Sequence, residues 1–402
     1  HGWSIQHGVD GSFQLLFGED EDNRSPGKMK SPGDPRKVKN FNKVYAGETI
    51  IRIDPPQKGI SGISVRGDEV RPNQGRAMTV AFSGASDKAA ADILLGENVN
   101  LAENGKYIIA SQDGLVHWDG KRISVSSVFD VKGDVDFSVG NIDVIGDVII
   151  NGNVLSKFHV KATGDIFIGG AVEDAIIESG GNVVVEQGIF GNKKAVIYAV
   201  ESLDTACIEQ ATVICLGDII VKRSIAHSFV SAGHSVEVTD NEGFIVGGHT
   251  KAGQYVSAAK LGSQASAATL IEIGSRLNLL DEMELARTQL ITKISGIPSR
   301  QQKQDQPAGE THQKAAQRLS SQAVKGHDRL FVEWMDNWLE RNRGRNIVSP
   351  YPRKGSRVRV IGKNFTFPGV TLKSNYLNLN VRNELAGQRV FNVTSDKIEE
   401  TA

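Results

Sequence analysis

The stretch VKATGDIFIGGAVEDAIIESGGNVVVEQGIFG, residues 160–191, contains the same pattern twice. Gly164 followed by Asp165 is matched 17 positions later by Gly181 followed by Asn182. The other matched pairs are Val160 with Ile177, Ala162 with Ser179, Ile166 with Val183, Ile168 with Val185, and Val172 with Ile189. Within each copy, branched apolar residues form short alternating pairs, such as Ile166 with Ile168 and Val183 with Val185, which is the period of a β-strand rather than a helix. Repetition at a fixed spacing predicts coils that stack on one another.

Further copies extend the pattern in both directions. One begins near Gly146, a degenerate copy lies near Ile197, and two more follow near Val213 and Val230. We therefore predict a mainly β fold whose centre, residues 126–274, is a right-handed parallel β-helix of six or seven coils. Each coil would bury a row of aliphatic side chains and hydrogen-bond to its neighbours. The spacing drifts without a strict six-residue period, which favours the right-handed form over the left-handed hexapeptide form.

The regions that flank the repeat differ from it in composition. Residues 1–40 are polar and rich in proline and glycine, which predicts a partly disordered arm. Residues 41–125 alternate strand-like segments with turn signals, which predicts a small N-terminal β domain. Apolar residues at helical spacing in residues 275–346 predict an α-helical hairpin that projects from the rod, with coiled-coil-like packing. The strand pattern returns in residues 350–402, which we expect to cap the last coil and cover its edge.

The second predicted helix carries more large apolar side chains than one packing seam requires. Phe331, Trp334, Met335 and Trp338 lie on it, and a second aromatic pair, Phe365 and Phe367, follows in the C-terminal segment. One interpretation is that the helix side chains pack against the end of the rod. The other is a partner-binding or self-association surface, because Trp is enriched in binding hot spots. In that case Trp334→Ala with Trp338→Ala would weaken partner capture and leave the fold intact.

Polar residues follow several of the repeated glycines and could form a ladder. They are Asp134, Asp147, Asp165, Asn182 and Asp218. A stacked row of carboxylates could bind cations or a sugar polymer. The simpler interpretation is that each residue forms a corner of its coil, because short polar side chains favour turns.

The sequence predicts no catalytic residue, cofactor or metal site. Of the nine histidines, His234 and His249 lie near predicted turns and are the only pair considered for a metal. Cys207 and Cys215 lack CxxC spacing and are interpreted as buried, reduced thiols. A nucleophile elbow and a phosphate-binding loop are both missing from the sequence.

Charge and hydropathy exclude two further classes of partner. The formal net charge is −1, so no overall positive field attracts nucleic acid. Basic residues cluster only between Arg341 and Lys363, without the interleaved aromatic residues of a stacking site, so we predict no nucleic-acid partner. Because no run of 18 apolar residues occurs, we predict no transmembrane segment.

Five segments, taken in order, resemble the bacterial flagellar assembly protein A family. They are VYAGETIIRIDPPQKGISGISVRGDEV (44–70), LGENVNLAENGKYIIASQDGLV (95–116), VKGDVDFSVGNIDVIGDVIINGNV (131–154), LGSQASAATLIEIG (261–274) and FTFPGVTL (365–372). The resemblance runs from about residue 42 to 393. It implies a cytoplasmic, non-enzymatic protein needed for flagellation, located at the flagellated cell pole. It also implies a link to nutrient state through the dephosphorylated glucose-specific phosphocarrier protein of the sugar phosphotransferase system.

Three functional hypotheses follow from the repeat and the resemblance. The first is a scaffold or adaptor that binds protein partners and self-associates through the helical hairpin. The second is a polysaccharide-acting β-helix enzyme, which would require a groove lined by acidic and basic side chains along one face of the rod. The third is a self-polymerising cytoskeletal element similar to bactofilin rods.

Overall fold

The computed structural model describes residues 3–17, 42–82, 91–102, 105–295, 329–351, 357–375, 377–394 and 396–401. Of the predicted polar arm, only residues 3–17 fall within these ranges. The chain forms two compact units. One is His1–Phe129 with Asp143–Asp147, and the other is Asp130–Ile142 with Val148–Ala402.

The first unit is a small β structure with its own core. Its strands are β1 Ser12–Leu15, β2 Lys43–Val44, β3 Thr49–Asp54, β4 Gly62–Ile63, β5 Glu69–Val70, β6 Val80–Phe82, β7 Ile93–Leu95, β8 Val99–Leu101, β9 Tyr107–Ala110, β10 Gly114–Trp118 and β11 Arg122–Ser126. They form one sheet in the order β1-β3-β9-β8, a second in the order β2-β10-β11-β7-β6, and the pair β4-β5. Ile51 and Ile108 from the first sheet and Ile93 and Ile123 from the second are fully buried in one cluster.

A parallel β-solenoid of about eight turns dominates the rest of the described chain. Before the helices its strands are β12 Val128–Val131, β13 Ile142–Val144, β14 Asp147–Ile150, β15 His159–Ala162, β16 Ile166–Ile168, β17 Ala171–Val172, β18 Ile176–Ser179, β19 Val183–Val185, β20 Gly188–Phe190, β21 Val196–Ala199, β22 Leu203–Glu209, β23 Thr212–Cys215, β24 Ile219–Ala232, β25 Ser235–Val238, β26 Phe244–Ala252, β27 Tyr255–Leu261 and β28 Thr269–Ile273. The mainly β architecture predicted from the repeat is confirmed.

Columns of inward-pointing side chains fill the solenoid, and in three of them no member is more than 1% exposed. The first column runs Val160, Ile177, Ile197, Val213, Val230, Thr250, Ile271 and Leu372. The second runs Val148, Ile166, Val183, Leu203, Ile219, Val236, Val256 and Val360. The third runs Val135, Val154, Val172, Ile189, Ile208, Ile225, Ile245, Leu261 and Thr366.

The register of strand pairing explains the 17-residue repeat in the sequence. Val160 lies beside Ile177 in the next coil, and Ile166 lies beside Val183. Parallel strands that are hydrogen-bonded to each other place paired side chains on the same face. A constant spacing in the sequence therefore places similar side chains next to one another in successive coils. The degenerate copy is a full coil, because Ile197 takes its place in the first column.

The C-terminal segment begins by extending the solenoid, which the sequence did not predict. β29 Val358–Thr366 and β30 Val370–Ser374 pair in parallel with β27 and β28. Antiparallel strands follow: β31 Leu377–Asn380 on β30, β32 Leu385–Ala386 and β33 Arg389–Val393 on β29, and β34 Ile398–Thr401 on β33. These last strands pair with the edge of the final coil, as a cap would.

Two helices of the described residues lie between β28 and β29 and interrupt the solenoid. They are α1 Leu279–Ser295 and α2 Arg329–Arg341. Asn278 pairs with Val348 at one end, and Arg287 forms an ion pair with Asp336 further along, so the helices run antiparallel. Residues 296–328, where the rest of the predicted hairpin falls, lie outside the described residues.

Adjacent valines on β19 provide a matched test of the columns. Val185 points inward and is fully buried, whereas Val184 lies on the outer side and is half-buried. We expect Val185→Ala to lower the free energy of unfolding by about 2 kcal/mol or more, because two methyl groups leave a packed interior and a cavity remains. Val184→Ala is the control and should cost less than about 1 kcal/mol. Equal losses in urea denaturation would contradict the assignment of faces.

Candidate functional site

One face of the solenoid is apolar on its outer side as well as on its inner side. This helix-bearing face consists of the outer sides of β15, β18, β21, β23, β26 and β28 and of residues 228–232 in β24. Ile176, Val196 and Phe229 occupy one outward position in different coils, and Tyr198 and Ile214 occupy the other. All five side chains are buried. Strands that are buried on both sides have continuous runs of apolar residues in their sequence.

Helices α1 and α2 cover this face. Leu279, Met283 and Leu290 from α1 join Phe331 and Met335 from α2 in the same buried cluster as the outward solenoid residues. The helices therefore pack along the solenoid over their described turns, whereas the sequence predicted a projecting, coiled-coil-like hairpin. An amphipathic helix gains most of its stability from such packing.

The structure places the predicted partner-binding residues of α2 inside the chain. Phe331, Trp334, Met335 and Trp338 are between 0% and 7% exposed. The Trp338 ring lies edge-on to Tyr198, with centroids 5.6 Å apart, and Trp334 lies edge-on to His159 at 6.1 Å. These four side chains belong to a buried cluster on the outer face of the middle coils rather than at the end of the rod, so they do not form an exposed patch in this structure.

The second predicted pair lies on the last coil of the solenoid. Phe365 and Phe367 stack on each other, with centroids 5.7 Å apart and planes inclined by 15°. Phe367 is buried and Phe365 is half-buried. Neither residue belongs to the cluster that holds the α2 residues, so the six predicted residues do not form one site.

A buried ionic network fixes α1 to the solenoid. Glu282 of α1 is 2% exposed, forms an ion pair with Lys251 of β26, and accepts a hydrogen bond from Ser231 Oγ at 3.0 Å. Glu272 of β28 lies 3.4 Å from His249 Nε2, 3.7 Å from Lys251 Nζ and 3.3 Å from Lys373 Nζ. These contacts, with His249 the largest cause, outweigh burial and lower the pKa of Glu272 to about 2.

A second network holds the end of α2. Glu178 of β18 lies 3.6 Å from Arg341, 3.5 Å from Lys161 and 3.8 Å from His159. Burial alone would raise the pKa of Glu178, but His159, Lys161 and Arg341 together lower it to about 2. A buried carboxylate with cationic partners stays ionised at neutral pH, so the contact with Arg341 is a charged one.

The two histidines considered for a metal have separate partners. His234 Nδ1 lies 2.6 Å from Asp218 Oδ1, and its ring contacts that of Tyr351 with centroids 4.1 Å apart and planes inclined by 40°. His249 instead contacts Glu272 and lies edge-on to Phe229. Within the described ranges, no group of three or more His, Cys, Asp or Glu residues could hold a metal ion.

The polar residues at the corners bind the neighbouring coil. Asp165 Oδ1 accepts hydrogen bonds from the backbone N and from Nδ2 of Asn182, at 2.6 Å and 3.1 Å. Asp134 Oδ1 binds the backbone N and Nδ2 of Asn153 in the same way. These side chains satisfy backbone donors between coils, which is a structural role.

The two cysteines are free and buried, as the sequence predicted. Burial raises the pKa of both thiols, that of Cys215 to about 12. The Cys215 thiol donates a hydrogen bond to the Glu201 carbonyl at 2.9 Å. Thiols protonated in this way are poor nucleophiles and poor metal ligands.

A groove of about 520 Å³ lies beside α1, and sequence reasoning did not identify it. Its polar lining includes Lys193, Gln210, His227, His249 and Gln289, together with Gly248. These residues are far apart in sequence and meet because successive coils stack Lys193, Gln210 and His227 at one corner. None of the described residues that line the groove carries a carboxylate.

Two family models match the chain. The Flagellar Assembly Protein A N-terminal region matches residues 1–121, and the Flagellar Assembly Protein A beta solenoid domain matches residues 127–398. The searches of curated proteins and of solved structures each gave no match. No helix among the described residues is both long enough and apolar enough to cross a membrane.

Because Trp334 and Trp338 of α2 are buried, the structure predicts that replacing them destabilises the fold, contrary to the partner-binding interpretation. We expect Trp334→Ala to destabilise the chain by about 3–5 kcal/mol, because a buried indole leaves a large cavity. Trp3→Ala is the control, since Trp3 is 74% exposed and its loss should cost less than about 1 kcal/mol. Thermal and urea denaturation measure both. A Trp334→Ala variant as stable as the parent would contradict this packing.

The two carboxylates with lowered pKa values predict an acid-sensitive attachment of the helices. Their folded pKa of about 2 lies below the ordinary value of 4.5, so their stabilisation is complete above pH 4.5 and is lost as the pH falls towards 2. We expect parent tryptophan fluorescence to change over this range, and Glu178→Gln to show a smaller pH-dependent change in stability.

Glu242→Gln is the control for the acid titration. Glu242 pairs with Lys260, but its side chain is 76% exposed, so removing its charge should leave the acid transition as in the parent. Identical pH dependence of stability in the parent, Glu178→Gln and Glu272→Gln proteins would show that neither carboxylate contributes to attachment.

Proposed function

The chain belongs to the flagellar assembly protein A family, and from that premise we propose that it is a non-enzymatic scaffold or adaptor that binds protein partners. The family implies a role in flagellar assembly. The stacked coils support the scaffold proposal, because each coil is fixed by its neighbours and surface side chains keep a constant spacing.

The observation that carries the proposal is the pairing of the ionisable groups on the helix-bearing face. Glu282 binds Lys251, and Glu178 binds Arg341, so these charges hold the helices in place. Among the residues that the structure describes, those lining the groove beside α1 include no carboxylate, whereas glycoside hydrolysis generally requires two. This distribution favours binding over cleavage of a polysaccharide.

Strand pairing at the C-terminal end of the solenoid argues against the hypothesis of a self-polymerising cytoskeletal element. End-to-end polymerisation requires unpaired strand edges on the terminal coil. In the described C-terminal residues, β33 pairs antiparallel with β29 and is itself covered by β34, and β31 pairs with β30. Another copy therefore cannot add in parallel to these edges without displacing them.

Several finer statements remain predictions that rest on the family resemblance. They are the cytoplasmic location at the flagellated cell pole and binding of the dephosphorylated glucose-specific phosphocarrier protein. Self-association through the helices is a further prediction, and the apolar side chains that α1 and α2 turn towards the solenoid are buried within the chain.

The scaffold proposal is tested in a polarly flagellated bacterium whose own family member has been deleted. We expect the parent chain to restore flagella, counted by electron microscopy, and to cross-link to flagellar assembly proteins identified by mass spectrometry. Val185→Asp, which places a charge in the interior, is the unfolded control. Release of new reducing ends from a panel of acidic polysaccharides, or filaments of the purified chain, would contradict the proposal.

A further inference from the structure

The groove beside α1 follows one corner of the solenoid across four successive coils. The Lys193 backbone N donates to the Gln210 carbonyl at 2.7 Å, and Gln210 N donates to the Ala226 carbonyl at 3.0 Å. Ser228, which follows His227, lies beside Gly248 in the next coil. Gln289 of α1 completes the opposite side. The groove therefore runs along the solenoid axis rather than across it.

The corner that lines the groove has a left-handed backbone. The φ angles are 73° at Lys193, 48° at Gln210 and 51° at His227. Glycine and asparagine adopt this conformation at the least cost, and the following coil uses Gly247 there, with φ 65°. Three consecutive coils thus carry long polar side chains where a smaller residue would be less strained. Such strain is typical of functional positions.

The groove offers hydrogen-bond donors and positive charge. Lys193 supplies an ammonium group, Gln210 and Gln289 supply amides, and His227 supplies an exposed imidazole. Of the carboxylates on the surrounding coils, Asp174 lies 3.9 Å from Lys194 Nζ, and Glu272 contacts Lys251, Lys373 and the lining residue His249. A ligand that presents several carboxylates matches this set of donors.

The length of the groove favours an extended ligand over a single small anion. Neighbouring coils are about 4.8 Å apart, so the three steps from Lys193 to Gly248 cover roughly 14 Å. An extended peptide rises about 3.3 Å per residue, so about four residues fit this distance. A small dicarboxylate would contact only part of the lining.

We propose that this groove binds an extended acidic peptide segment of a protein partner, with Lys193 and His227 contacting its carboxylates. The inference rests on the proposed scaffold function and specifies the chemistry of one binding surface. Steering by charge would make the association sensitive to salt.

The proposal is tested with the full chain and a fluorescein-labelled peptide of four glutamates, by fluorescence anisotropy. We expect the double variant Lys193→Asn, His227→Asn to bind the peptide at least about ten-fold more weakly, because the ammonium charge is lost and the shorter asparagine amides replace the longer lysine and imidazole donors. The same variant should melt no lower than the parent, since asparagine tolerates the left-handed backbone better. Weaker binding caused by unfolding is thereby excluded.

Lys157→Asn is the matched control. Lys157 has the same backbone conformation, with φ 75°, and its backbone N donates to the Asp174 carbonyl at 2.7 Å, as that of Lys193 does to Gln210. It does not line the groove. We expect this variant to bind the peptide as the parent does. A parent that does not bind, or a double variant that binds equally well, would overturn the proposal.

Two further experiments distinguish a peptide ligand from a small anion, and failure of the groove proposal from failure of the scaffold proposal. Glutarate or inorganic phosphate that binds as tightly as the peptide, and depends equally on Lys193 and His227, would replace the peptide by a free small anion. Cross-linking in the flagellated host is repeated with the double variant. Unchanged partner capture would overturn the groove alone, whereas no capture by the parent would overturn the scaffold function.

Discussion

The stacking of buried side chains at matching positions of successive coils is the constraint on which the solenoid depends. Ile177 can bury its side chain only because Val160 and Ile197 lie beside it in the neighbouring coils. Backbone hydrogen bonds between coils impose the same register, so packing and pairing reinforce each other. Corner residues such as Asp165 then satisfy the donors that the turns would leave unpaired.

The same constraint explains why the chain inserts helices into its solenoid. Strands β21 and β23 are buried on both sides, and an apolar outer face must be covered to avoid contact with water. Helices α1 and α2 provide this cover, and Glu282 and Glu178 fix their position through charged partners. The groove lined by Lys193 and His227 lies beside these helices.

Much of the fold could be predicted because a strand period of two and a coil period near 17 both leave direct traces in the sequence. The additional coil was missed because the helices separate Ile271 from Leu372, its neighbour in the first column, which hides the repeat. The role of Trp334 and Trp338 was open in the sequence, since an apolar helix side fits a partner as well as the solenoid. A signal for this packing is present in the sequence in the runs AVIYAV, residues 195–200, and TVIC, residues 212–215. These runs lack the alternation of apolar and polar residues that a strand with one face in water shows, which indicates burial on both sides. The groove depends on corner conformations and on α1, which no local pattern specifies.

Hydroxyl-radical footprinting read by mass spectrometry tests the central arrangement most directly, because it measures the accessibility of individual side chains. The account predicts that Trp338, Tyr198 and Phe229 are protected in the folded chain, whereas Trp3 and Phe137, which are 74% and 65% exposed, are oxidised rapidly. Oxidation of Trp338 and Phe229 as fast as that of Trp3 would show that the helices do not cover the solenoid, and would contradict the account.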